Sequence, residues 1–216
     1  HIRYGLRIGA DVICEKPLVL NTWNVDALIE LENEYKNKVH TILQLRHHEA
    51  ILELKEKIEK DSKDKIYDID LTYITSRGNW YYTSWKGNED KSGGIATNIG
   101  VHFFDMLQWI FGTFEAATVA IKSKDTNSGT LKFKQANVNW YLSINAENLP
   151  PDIKSKGQST FRTLTIEDKE IEFSKGFTDL HTVSYQKIIE GKGYGLKDAR
   201  NSIEIVSKIR NSKSNY

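Results

Sequence analysis

Apolar residues recur along the chain with two different periods, and the points where the period changes divide it into elements. Residues 1–9 read as the end of an amphipathic helix closed by Gly9, and residues 11–15 as a buried strand that follows at once. Asn21 or Thr22 is placed to cap a helix carrying Leu28 and Leu31 to about Tyr35. A second apolar run, residues 40–46, reads as a central strand, and residues 49–60 as a helix. Strand, helix and strand in this succession form a parallel βαβ pattern entered part-way through, so earlier strands and helices are expected ahead of His1. From 67 to 77 the period is two, with Ile69, Leu71 and Tyr73 on one face. Runs at 117–124, 130–133, 136–144, 160–166 and 170–173 read as an antiparallel meander, and helices at about 178–190 and 196–210 close the chain. The expected fold class is α/β plus α+β: a truncated parallel unit to about residue 46, then an α+β domain with an open, mostly antiparallel sheet.

One stretch breaks this alternation. Gly93 and Gly94 lead into a short helix that ends at Gly112. At about 100° per residue, Asn98, His102, Asp105 and Trp109 fall within roughly 60° of one another, while Phe103, Leu107, Ile110 and Phe111 form the apolar back. The polar stripe is expected to face a cavity. His102 lies in the first turns after the glycines, where backbone N–H groups favour an anionic or oxygen-rich ligand, a suitable place for a catalytic base. A helical histidine also serves as a satisfied structural residue, and Asn98, one turn earlier, is placed to hold its ring or a substrate.

Ligands of parallel sheets sit at the carboxyl ends of the strands, so Glu15-Lys16-Pro17 and residues 44–48 point to one crevice. Lys16 there either reaches solvent or donates to a substrate hydroxyl. The segment between Gly78 and Asn88 is too aromatic and too polar at once for core or linker.

Composition removes several alternatives. The 216 residues carry 30 basic and 29 acidic side chains, a formal charge of +1, without the basic stripe of a nucleic-acid binder. The lysines between 55 and 65 alternate with acids, as on a solvated helix face. The single cysteine, Cys14, excludes an intrachain disulfide framework and is expected to be a buried core thiol. No apolar run approaches the roughly 18 residues of a membrane span and no signal peptide is read, so a cytoplasmic protein is expected. His1, His40, His47 and His48 show no metal-ligand spacing, and no metal is expected.

Residues 9–17, ending in Glu15-Lys16-Pro17, and Gly93-Gly94 followed by Asn98-Ile99-Gly100-Val101-His102 together resemble the glucose–fructose oxidoreductase, inositol dehydrogenase and MocA superfamily of nicotinamide-dependent sugar dehydrogenases. The resemblance covers essentially the whole chain. Where most members carry Asp, this chain has Asn98. Residues 44–46, 75–82, 84–87, 98–105 and 176–181 further resemble UDP-N-acetyl-2-amino-2-deoxyglucuronate dehydrogenases, which oxidise the sugar C3 hydroxyl in making bacterial surface polysaccharides such as O-antigen.

The resemblance implies a Rossmann-domain remnant over residues 1–46, a substrate-binding and oligomerisation domain over 47–216, NAD, a UDP-linked aminouronate and a homo-oligomer, dimer or tetramer. It implies His102 as base, Lys16 as donor to the same hydroxyl, and Glu15, Lys16, Pro17 and Gln44 beside the cofactor, often through a cis Lys-Pro peptide. Arg46 and Arg77 are candidates for the diphosphate or uronate carboxylate, or else for structural ion pairs. Asn79, Trp80, Tyr81, Ser84 and Trp85 are expected to cover the sugar nucleotide, or to pack against a subunit. His181 lines the pocket or caps its helix. On the residues alone, a sugar-nucleotide-binding module without chemistry and an oligomerisation fragment stay open, because no Gly-x-Gly-x-x-Gly occurs; NAD and NADP are not distinguished.

Overall fold

The computed structural model describes residues 1–171 and 179–213. Gly176, Phe177 and Thr178 of the motif quoted above, and the end of the strand expected at 170–173, lie outside the described residues.

Helix α1 (Ile2–Arg7) leads through Gly9 into β1 (Val12–Cys14), and α2 (Thr22–Tyr35) leads into β2 (Val39–Thr41). The two strands pair in parallel, Val12 opposite Val39. Asn21 does precede α2, yet its side chain makes no cap bond there. Its side-chain Oδ1 accepts from the Arg210 guanidinium instead.

Two expectations are corrected here. β1 is half open, with Ile13 42% exposed and Cys14 only partly buried, because it has one partner strand and one uncovered face among the described residues. The strand expected over 40–46 ends at Thr41, and residues 44–47 form a 3₁₀ turn. Arg46 turns inward from it to the buried Asp105 carboxylate.

Helix α3 (Glu49–Lys60) buries Ile51, Leu54 and Ile58, and β3 (Tyr67–Thr75) alternates buried Tyr67, Ile69 and Leu71 with exposed Asp68 and Asp70. Two single turns, α4 (Trp80–Thr83) and α5 (Glu89–Ser92), precede a π-helical segment (Ala96–Gly100) that runs into α6 (Val101–Phe111). Strands β4 (Phe114–Lys122), β5 (Thr126–Phe133) and β6 (Ala136–Ser143) form the expected meander. After the short helix α7 (Pro151–Ser155), β7 (Thr160–Ile166) and β8 (Lys169–Glu170) do not extend it. The sheet order is β4-β5-β6-β3-β7-β8, with β3 parallel to β6 and antiparallel to β7. The early strand is thus inserted into the meander.

Helices α8 (Leu180–Ile189) and α9 (Leu196–Asn211) complete the fold. One sheet face is polar, with Asn137 and Asn139 donating to Asp68 and Asp70. The other packs against α6 through Phe104 on Trp140 and Phe103 on Tyr73. The first half of α9 packs on Leu6, Val25 and Val39 through Leu196 and Ile203, and its second half joins the sheet core through Ile205, Val206 and Ile209. α9 therefore ties β1 and β2 to the large sheet, reinforced by Arg200 forked on Asp26.

Candidate active site

The site forms where the turn after β1 meets the start of α6. Lys16–Pro17 is a cis peptide, and Leu18 holds a positive φ of 67°, which costs a leucine roughly 1–2 kcal/mol. The turn is closed by Leu18 N donating to Glu15 O and Val19 N to Pro17 O. It sends the Lys16 side chain inward, where Nζ donates to the Asn98 carbonyl at 2.7 Å. That carbonyl belongs to the π-helical segment, whose irregular winding displaces backbone groups from the usual helical pairing.

A cavity of about 180 Å³ opens between these elements, its polar wall made by Lys16, Gln44, Arg77, Asn98, His102 and Arg162. Among the described residues none that lines it is a carboxylate. Burial lowers the Lys16 ammonium to a pKa of about 8, against the pull of Glu15 and with help from the charges of Lys86 and Arg77. His102 is held well below its ordinary value, first by burial and then by the positive charges of Lys16, His181 and Arg162. At neutral pH the imidazole is uncharged beside a mostly protonated lysine.

The sequence expectations separate into groups. Lys16, Gln44, Arg77, Asn98 and His102 stand in one cavity. Asn98 does not hold the His102 ring: its amide donates to Tyr81 Oη at 3.3 Å and to the Lys86 carbonyl at 3.5 Å. Glu15 points away from the cavity to His181, whose Nε2 lies 3.1 Å from its carboxylate. Asn79, Trp80 and Trp85 are exposed and Ser84 is half-buried, while Tyr81 is buried at 3% exposure.

Arg46 is the correction. Its guanidinium donates to both oxygens of Asp105, at 2.9 and 2.8 Å, lies 3.4 Å from Asp198 and stacks on Tyr194 and Trp109. Burial opposes its charge and Asp105 restores it. Buried and absent from the cavity wall, it is an ion-pair partner and not a ligand contact; Asp105, expected on the cavity stripe, is buried with it.

Sequence reading missed Tyr73 and Arg162. Arg162 was detectable: it occupies the same phase of β7 as buried Leu164 and Ile166, an arginine at an inward position.

The family model described as the C-terminal alpha/beta domain of an oxidoreductase family matches residues 55–148. A WlbA (WbpB) dehydrogenase from Thermus thermophilus, solved in complex with NAD and α-ketoglutarate, is 42% identical, with a TM-score of 0.95 over 99% of this chain and 69% of its own. The same dehydrogenase in complex with NAD and UDP-GlcNAcA gives a TM-score of 0.94 at 42% identity, over 99% of this chain and 68% of its own. WlbA from Bordetella pertussis, in complex with NADH and UDP-GlcNAcA, shares the fold at 18% identity, with a TM-score of 0.76 over 96% of this chain and 70% of its own. YteT of Bacillus subtilis (strain 168) is 27% identical over 117 residues, 52% of this chain and 27% of that protein. The matched stretch spans little more than a quarter of YteT. Among the described residues no helix is long and apolar enough to cross a membrane.

Proposed function

The chain belongs to the oxidoreductase family of glucose–fructose oxidoreductase, inositol dehydrogenase and MocA, and from that membership we propose that it serves an NAD-dependent dehydrogenase oxidising the C3 hydroxyl of a UDP-linked N-acetylaminouronate. Residues 1–46 would belong to the dinucleotide-binding domain and 47–216 to the substrate domain of a homo-oligomer, dimer or tetramer, working in the synthesis of a surface polysaccharide such as lipopolysaccharide O-antigen. The observation that carries the reading is the meeting of Lys16 and His102 in one cavity lined, among the described residues, by cations and no carboxylate.

The residues fit the cofactor. Gln44 Oε1 is buried without a hydrogen-bond partner and belongs to a side chain of the cavity wall, an acceptor suited to the carboxamide N–H₂ of a nicotinamide. Glu15, Lys16, Pro17 and Gln44 are the residues of this chain that would hold it, and bound NAD supplies the hydride acceptor.

His102 takes the hydroxyl proton at its uncharged imidazole, which as general base is worth about 10² to 10⁴ in rate. The Lys16 ammonium donates to the same oxygen and stabilises the charge that develops there. Arg77, Asn79, Trp80, Tyr81, Ser84, Trp85, Asn98 and His181 surround the sugar nucleotide. A second assignment rests on the Lys16 pKa of about 8, close to working pH, and the depressed His102: the roles exchange, with Lys16 as base and His102 as donor.

The test is nicotinamide reduction by the full-length protein with NAD and UDP-N-acetylglucosaminuronate. Lys16→Ala and His102→Ala are expected to abolish it with UDP-sugar binding retained. Wild-type rates in both variants would refute the roles. In a slow His102→Asn variant, an acid limb of kcat that persists near pH 8 selects Lys16 as the base, and its disappearance selects His102.

A further inference from the structure

Thr97 is fully buried and does not line the reaction cavity, yet it sits one residue before the carbonyl that holds Lys16. Its hydroxyl has one proton to give, and Oγ1 donates it to the Gly93 carbonyl at 2.8 Å. In a regular α-helix that carbonyl, four residues back, is the acceptor for the Thr97 amide. A hydroxyl that takes the same acceptor bends the chain away from regular winding, and the winding over Ala96–Gly100 is π-helical.

The corner around this bond is tightly framed. Gly93 has a φ of 76°, and a Cβ there would lie 2.6 Å from Thr97 Oγ1, so only glycine lets the hydroxyl come this close. Ser92, 1% exposed, accepts from Gly94 N through its Oγ at 3.1 Å and fixes the other side of the turn. At the far end a Cβ on Gly100 would lie 2.7 Å from Leu142 and 2.8 Å from the Phe104 ring, so the segment lies hard against the sheet.

What the corner delivers is one carbonyl. Lys16 Nζ, reaching across from the turn after β1, donates to Asn98 O at 2.7 Å. An ammonium carries three donors on a flexible stem, and one bond to a fixed acceptor settles where the other two point. Asn98 is pinned at its side chain as well, where the amide donates to Tyr81 Oη and to the Lys86 carbonyl. An aspartate there would have no proton for the second of these acceptors.

We propose that Thr97 is a positioning residue for the dehydrogenase: its hydroxyl sets the π-helical winding, the winding aims the Asn98 carbonyl at Lys16, and the carbonyl points the remaining N–H donors of the ammonium at the reacting hydroxyl. Thr97 touches neither substrate nor cofactor and acts through Asn98 and Lys16. The last of these steps rests on the dehydrogenase reading; the first two are measured without turnover.

The experiment compares the full-length wild type with Thr97→Val, which keeps the shape and loses the hydroxyl, and with Thr97→Ser, which keeps the hydroxyl. With NAD and the UDP-sugar, kcat is expected to fall about tenfold to a hundredfold in Thr97→Val while KM stays within about twofold, because a misplacement of about 1 Å costs up to about 10² in rate and the binding contacts remain. Thr97→Ser is expected to restore most of the loss. Without substrate, the pH dependence of Lys16 acylation by acetic anhydride, followed by mass spectrometry, gives the titration of the ammonium. A carbonyl turned away withdraws an acceptor from the charged form, while Glu15, Lys86 and Arg77, the charges that act on Lys16, are left as they are. The midpoint is therefore expected to move down by about one pH unit in Thr97→Val, the weight of one hydrogen bond to a charged group, and to return in Thr97→Ser. Should Thr97→Val not fold, Ser92→Ala loosens the same corner at Gly94 and is read in the same way. A wild-type kcat or an unmoved Lys16 titration in Thr97→Val overturns the proposal, and so does an equal loss in Thr97→Ser, which would make the fault one of packing. If the wild type oxidises the UDP-sugar and Thr97→Val matches it in kcat and titration, the positioning falls and the dehydrogenase reading stands. If the titration moves in Thr97→Val and returns in Thr97→Ser while the wild type oxidises no UDP-sugar, the aiming of Lys16 stands and that reading falls.

Discussion

Replacing Arg46 by methionine leaves the Asp105 carboxylate buried without its fork. The two side chains are 7% and 4% exposed, so water does not screen the pair or replace the lost bonds. Breaking a buried pair by removing one partner costs about 3–5 kcal/mol. Loss of the guanidinium from the Tyr194 and Trp109 rings adds roughly 0.5–2 kcal/mol. Methionine recovers part of this by filling the space, so about 4 kcal/mol is expected, a large share of an ordinary domain's 5–15 kcal/mol. Urea denaturation followed by circular dichroism measures it, with an unchanged m-value certifying that stability alone has moved. Arg46→Lys keeps the charge without the bidentate geometry and should fall between. Arg46→Met/Asp105→Leu removes both charges and should be more stable than Arg46→Met alone. A loss below about 1 kcal/mol in Arg46→Met, or a double variant no better than the single, refutes the ascription of this stability to a buried ion pair.

Lys16→Met is expected to abolish turnover while gaining stability at neutral pH. The folded-state pKa of about 8 lies below the ordinary lysine value of 10.5, so between these values the unfolded chain binds the extra proton and wild-type stability rises with pH. The melting temperatures of variant and wild type should therefore converge on going from pH 7 towards pH 10, and a constant gap would show that the lysine is not buried as a cation. Arg162→Met removes one of the charges that depress His102, so the imidazole titration followed by NMR should move up towards its ordinary range; an unmoved titration would mean that burial alone holds it down.

Local signals carried much of the fold. The helix read over residues 49–60 has those bounds as α3, Glu49–Lys60, and the alternation placing Ile69, Leu71 and Tyr73 on one face gave β3 its inward face. What failed depends on residues far apart in the chain. The apolar run to Leu45 looks the same whether it continues as strand or turns, and the turn is set by Arg46 reaching Asp105, 59 positions away. The sheet order could not be read because β3 pairs with β6 only after the intervening helices have crossed the sheet. In the site, Lys16 and His102 were legible because each sits at a punctuated boundary, a strand end with proline and a helix start after glycines. Arg162 lies mid-strand without such a mark.

Asn98 stands where most relatives of this type were expected to carry an acid, and its amide is turned to Tyr81 and Lys86, so among the described residues no carboxylate lines the cavity beside His102. The free site is consequently a poor proton acceptor, with the imidazole held well below pH 6.5 by burial and by Lys16, His181 and Arg162. A substrate bearing a carboxylate supplies the missing negative charge as it enters, which favours the protonated imidazole and raises the pKa of His102 in the complex. kcat/KM reports the free enzyme and kcat the bound one, so the acid limb of kcat is expected at higher pH than that of kcat/KM for an aminouronate. The two limbs should coincide for the matching neutral sugar nucleotide, which brings no carboxylate. Equal limbs for the acidic substrate would show that its charge does not reach His102 and that the cations of the cavity act on some other group.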